Sequence, residues 1–135
     1  MKIEIRTIDE IKILDLSGQL LLGEATRALR NTVNDIMQAG GKRIIFNLAN
    51  LSLIDTPGVG QLAYSYKTFK DQGGEIKLLN LTKRIHRVLY VAKLLTVFEV
   101  SDDERALIAS FSNPAVQGQT MDQLDLTSSR TASVA

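Results

Sequence analysis

Ile54-Asp55-Thr56-Pro57-Gly58-Val59-Gly60 sets a hydroxyl between a carboxylate and a proline, just ahead of an apolar helical pattern. Pro57 biases Thr56 away from helical dihedrals, and proline is itself favoured at the first helical position. Thr56 is therefore expected as a helix N-cap, its hydroxyl near the N–H groups of Gly58 and Val59. Asp55 adds negative charge at the positive end of the helix dipole. Gly58 and Gly60 remove bulk and let another backbone approach. Two chemistries fit this arrangement. Thr56 either caps a helix and does nothing more, or accepts a phosphate at a helix N-terminus, where an anion is favourably placed and conflicts with Asp55 to change the surface abruptly.

Other constellations are weaker. Gly58-x-Gly60-x-x-Ala63 matches a dinucleotide-binding spacing, but the stretch from Leu48 to Gly58 is long for that motif. The next strand ends Leu79-Asn80-Leu81, without the acid that should meet a ribose. No phosphate-binding loop of the G-x-x-x-x-G-K-[ST] kind occurs. Lys67, Lys70, Lys77, Lys83, Arg84, Arg87 and Lys93 read as a solvated face or as a patch that steers an acidic partner. His86, the only histidine, falls off the apolar face of its helix and is expected at the surface. Of the tyrosines on the helix after Pro57, Tyr66 is expected inward and Tyr64 outward.

Composition removes several classes. The chain has 135 residues, one domain's worth, with 44% hydrophobic and 23% charged residues. Sixteen Lys+Arg against fifteen Asp+Glu leaves +1, so bulk charge gives no reason to bind nucleic acid. Without cysteine there is no disulfide, thiolate metal site or thiol nucleophile. No apolar run reaches a membrane span, the N-terminus is unlike a signal peptide, and a cytoplasmic protein is expected.

The elements that must hold the Asp55-Thr56 segment follow from periodicity. Ile3 and Ile5, with Ile8, alternate against Lys2, Glu4 and Arg6, a half-buried strand. Asp9-Glu10 suits a hairpin turn, and Ile11–Leu16 a more central strand ended by Ser17-Gly18. Ala25, Leu29, Val33 and Ile36 mark one helix, stopped by Gly40-Gly41. Arg43–Leu48 is a buried strand followed by a loop. Val59, Leu62, Tyr66 and Phe69 mark a second helix, and Glu75–Leu81 a strand. Thr82 caps a third helix, Thr96–Val100 is a short strand, and Ser101-x-x-Glu104 is a capping box opening a last helix through Phe111. Strands alternating with helices give an α/β domain whose strands are mostly parallel after an initial hairpin. The domain is expected over residues 1–111. Residues 112–135, rich in Ser, Thr and Gln, are expected as a flexible tail in which Met121–Leu126 could form a short helix.

This order of elements, the Leu16-Ser17-Gly18 ending of the second strand and the Asp-Thr-Pro-Gly-Val-Gly segment resemble the STAS domain of anti-sigma factor antagonists over residues 1 to 111. Asp55 and Thr56 match the family's Asp and phosphorylated Ser or Thr, and Gly58 and Val59 its Gly and apolar residue; Pro57 replaces the usual second hydroxyl residue. The resemblance implies a single STAS-like domain with a mostly parallel four- to five-stranded sheet, an N-terminal hairpin and four helices. It implies no catalysis, no cofactor and no metal. Thr56 would be the phosphoacceptor, and Asp55, Pro57, Gly58, Val59, Gly18, Gln19, Leu20 and Gly23 the partner-binding residues. The partner would be an anti-sigma factor that is also a serine-threonine kinase, with a phosphatase resetting the switch and no direct contact with nucleic acid. The alternatives are a stressosome-like scaffold, a transporter-associated STAS subunit without a phosphoswitch, and a nucleotide-binding domain.

Overall fold

The computed structural model describes residues 1–111; the tail expected over 112–135, with its short helix, lies outside them. The chain begins with β1 (Lys2–Ile8) and β2 (Ile11–Leu20), joined through Asp9 and Glu10, both at positive φ (52° and 66°). Two consecutive left-handed residues make the tight turn whose twist matches a hairpin. Then follow α1 (Glu24–Gln38), β3 (Arg43–Ile54), α2 (Thr56–Asp71), β4 (Glu75–Leu79), α3 (Lys83–Val91) and β5 (Val100–Ser101). The five strands lie in sequence order, β1-β2-β3-β4-β5, and only β1 runs antiparallel. The expected α/β architecture, with its N-terminal hairpin and mostly parallel sheet, is present. These elements form one compact unit, Met1–Asp102. The next unit starts with α4 (Glu104–Phe111), the fourth helix, where the Asp103 carboxylate accepts the Ala106 N–H at 3.1 Å. That cap belongs to Asp103 and not to the expected Ser101, which is the last residue of β5.

Two strands are longer than their sequence suggests, and both differences bear on the site. β2 continues past Ser17-Gly18 to Leu20, and β3 runs through the expected loop to Ile54. Their register slips between Asp15 and Ser17 and again between Gly18 and Gln19. Such bulges accommodate extra residues while pairing resumes beyond them. Gly18, at φ 102°, takes a backbone conformation that side chains disfavour. The polar Asn50 and Ser52 hide the second half of β3, yet Leu51 and Ile54 beside them are buried.

One face of the sheet carries Leu14, Leu16, Phe46, Leu48 and Leu78 into a core with Leu29 and Val33 of α1, Leu62 and Phe69 of α2, and Ile85 and Leu89 of α3. Tyr66 lies inward as expected, its ring edge-on to Phe98 at 4.9 Å. Ile5 does not share the burial expected for β1: it is 52% exposed, while Ile3 packs on the core. Thr82 caps α3 as expected, accepting the Ile85 N–H at 3.2 Å.

On the opposite face a polar chain crosses the sheet. Arg6 bonds Asp15 through Nε (2.7 Å) and a second guanidinium nitrogen (2.9 Å). Asn47 Nδ2 donates to Asp15 at 2.7 Å, and Asn80 Nδ2 donates to Asn47 at 3.2 Å. The Arg6 hydrogen bond, helped by Asn47 and by the guanidinium charge, holds the Asp15 carboxyl below its ordinary 3.8 against the opposing effect of burial. A lowered pKa means the unfolded chain takes up the proton first, so this stabilisation is full above about pH 5 and is lost as pH falls through the folded value. Asp15→Asn should therefore lower stability at pH 7, by about 1 kcal/mol for a half-exposed pair. The gap from the parent should shrink as pH drops below 3.8, as read by urea unfolding at both pH values.

Candidate functional site

The carboxyl ends of β2 and β3 finish side by side, with Leu20 opposite Ile54. From there β2 turns through Leu21–Gly23 into α1, and β3 passes through Asp55 into α2. The helix cap is Asp55, not Thr56 as the sequence suggested. Asp55 is extended (φ −102°, ψ 178°), and its Oδ1 accepts the Gly58 N–H at 2.8 Å. Its Oδ2 accepts the Leu22 N–H at 2.9 Å, and its own N–H donates to the Leu20 carbonyl at 3.4 Å. A single carboxylate thus holds both the helix start and the turn after β2. Thr56 becomes the first residue of α2 and Pro57 the second, where a missing N–H costs nothing.

Losing the cap frees the Thr56 side chain. Thr56 and Pro57 are exposed, and among the described residues no hydrogen bond engages the Thr56 hydroxyl. The oxygen stands open at the tip of α2. A phosphate there would find the Gly58 N–H taken by Asp55 and no N–H on Pro57. Its charge would project outward beside the Asp55 carboxylate rather than being absorbed by the helix end.

Gly58 is buried, and its place explains its identity. A Cβ built there would lie 2.3 Å from the Leu20 carbonyl oxygen and 2.8 Å from Ile54 Cγ1. The first turn of α2 lies directly on the end of β2, so packing alone accounts for this glycine of the G-x-G-x-x-A spacing. Val59 packs partly on the core.

The expected partner-facing residues after Leu16 divide. Gln19 is exposed and Gly18 half-buried within β2, and Ser52 Oγ donates to the Gly18 carbonyl at 3.0 Å. Gly23 precedes α1 and is clasped by Thr26, whose hydroxyl accepts the Gly23 N–H at 3.1 Å. Leu20 is wholly buried in the core, so its side chain cannot face a partner. The exposed apolar residue of this turn is Leu22 at 73%; it lies within the Gly18–Gly23 segment that the resemblance implies as partner-facing surface. Three consecutive leucines, Leu20–Leu22, read as uniformly apolar; only the end of the strand decides which points out. Tyr64 is exposed as expected, at 56%, along α2 from Thr56. Gln19, Leu22, Thr56, Pro57 and Tyr64 are thus exposed side chains on the segments that the Asp55 tie joins.

Of the basic residues, Lys77 is buried in β4 and bridged to Glu99 at 3.1 Å, so it belongs to no solvated patch. Lys83, Arg84, His86 and Arg87 are exposed on α3. Among the described residues no helix is long and apolar enough to cross a membrane.

The STAS domain family model matches residues 2–107. The anti-sigma F factor antagonist of Paenibacillus polymyxa is 25% identical over 104 residues, 77% of this chain and 89% of that protein. The fold is similar to that of SpoIIAA, a Bacillus cell fate determinant solved in its phosphorylated form (TM-score 0.65, 22% identity, covering 81% of this chain and 99% of that one). It is also similar to a sulfate transporter family protein from Wolinella succinogenes (TM-score 0.69, 16% identity, 82% and 93%).

The geometry separates the side chains that support the fold from those that stand free of it. Gly58→Ala should lower unfolding stability by about 2 kcal/mol through the clash with the Leu20 carbonyl. Asp55→Ala should cost about 1–2 kcal/mol, because it leaves two backbone donors without their acceptor. Thr56→Ala should change stability by less than about 0.5 kcal/mol, as an exposed side chain with no bond to lose. Were Thr56 the cap, thermal or urea melts would rank Thr56→Ala below Asp55→Ala in stability.

Proposed function

This chain belongs to the STAS domain family, and on that premise we propose that it is an anti-sigma factor antagonist, a binding module without catalysis of its own. It binds an anti-sigma factor that is also a serine-threonine kinase, so releasing a sigma factor, and phosphorylation of Thr56 ends the complex. The observation that carries this reading is the open Thr56 hydroxyl beside the Asp55 tie. The names of curated relatives in the same family support it.

The switch needs no refolding. Asp55, Pro57, Gly58 and Val59 set the start of α2, while Gly18 and Gly23 shape the backbone that brings Gln19 and Leu22 alongside. A partner resting on this surface covers Thr56, and a phosphate there must either lose its hydration or push the partner off. A like-charged or unpaired group at an interface core costs several kcal/mol, and about 1.4 kcal/mol is already tenfold in affinity. A phosphatase then restores the neutral hydroxyl. The fold similarity to a transporter family protein supports a second reading, a transporter-associated subunit with no working acceptor.

Thr56→Ala and Thr56→Asp separate the two. In pull-downs from the source cells, the parent and Thr56→Ala should both retain an ATP-binding anti-sigma factor. Thr56→Asp should reduce its recovery at least tenfold. Equal recovery of that anti-sigma factor by all three would remove the switch, and equal recovery of a transporter in its place would favour the transporter-associated reading.

A further inference from the structure

Among the described residues β1 is an edge of the sheet, with β2 as its only neighbour in the strand order. The two-residue hairpin makes Ile8 and Ile11 a hydrogen-bonded pair, and such pairs alternate along an antiparallel ladder. Arg6, Glu4 and Lys2 therefore spend their backbone groups on β2. Ile3, Ile5 and Thr7 direct theirs away from it, toward the open edge. An open edge is a template for another strand, and the usual protection is a charged or very short strand. β1 spans seven residues and carries the half-exposed Ile5 at its middle.

We infer that β1 pairs antiparallel with β1 of a second copy about a two-fold axis at Ile5, extending the sheet across a weak homodimer. Charge and the length of strand paired together select this register. Centred on Ile5, Ile5 meets its own copy, Ile3 meets Thr7, and Glu4 meets Arg6 on both sides of the axis. Centred on Glu4, Glu4 would face Glu4 and Lys2 would face Arg6; centred on Arg6, two arginines would meet. Of these three only the Ile5 centre brings apolar residues together and opposes unlike charges; a centre at Ile3 would also oppose Lys2 and Glu4 but would pair only Lys2–Glu4 of the strand, whereas the Ile5 centre pairs all of Lys2–Ile8. It also brings the outward backbone groups of Ile3, Ile5 and Thr7 into register with those of the other copy. Arg6 already holds Asp15, and a guanidinium has five donors, so it can span from Asp15 to Glu4 of the second copy. The arrangement is isologous, as closed dimers require. A strand-to-strand contact alone is small, so the dimer should be concentration-dependent.

Sedimentation velocity of the full chain, from about 10 μM to about 1 mM in line with a small interface, should show a monomer giving way to a dimer. Ile5→Lys should leave only monomer with an unchanged circular dichroism spectrum, since the side chain is exposed. The chain has no cysteine, so a single one reports the register. Ile5→Cys should cross-link on mild oxidation at least tenfold faster than Glu4→Cys or Arg6→Cys. A monomer at every concentration overturns the inference and leaves the edge to an extended segment of another protein. So does a dimer that survives Ile5→Lys, or cross-linking no faster at Ile5 than at its neighbours.

Discussion

The Asp55 carboxylate is the constraint on which the site depends. One oxygen holds the Gly58 N–H and the other the Leu22 N–H, so the start of α2 and the turn after β2 cannot move independently. The tie works only because β2 and β3 end level, Leu20 opposite Ile54, and because Gly58 offers no Cβ to the Leu20 carbonyl. Satisfying two otherwise orphaned backbone donors with one charged acceptor is among the stronger local interactions available to a small domain. It also explains why Thr56 is available: the residue expected to cap the helix has been relieved of that work by its neighbour.

Stability and the proposed switch thereby rest on different atoms. Core packing, the Asp15 network and the Asp55 tie hold the fold, while Thr56, Pro57, Gln19, Leu22 and Tyr64 are exposed and contribute little to it. A modification at Thr56 can alter what the surface binds without drawing on the stability of the domain. That separation is what a reversible covalent mark requires, because both states must stay folded for one to be reset to the other.

The architecture was legible because its periodicities are clean. The Ile11–Leu16 alternation, the apolar stripes of α1 and α2 and the glycine stops gave the elements and their order. Strand ends were misread where polar residues occupy a sheet margin. Asn50 and Ser52 look like loop residues, yet backbone pairing with β2 decides their conformation, and that pairing is non-local. Bulges hid the continuation of β2, because a glycine at positive φ reads as a terminator until the partner strand is known. Thr56 was expected to cap α2, and Asp55 does so instead. Either side chain can cap a helix, and the contact with the Leu22 N–H that favours Asp55 comes from 33 residues away in sequence. Leu20, expected to face a partner, is buried, since burial of adjacent leucines depends on where the strand stops.

The most direct test is to locate phosphate on the protein recovered from its own cells under conditions in which the sigma factor is held inactive. Tandem mass spectrometry should place a single phosphate on Thr56, in a domain whose melting temperature matches that of the unmodified form. Phosphate confined to other residues, or a Thr56 that stays unmodified while the sigma factor is silenced, contradicts the account.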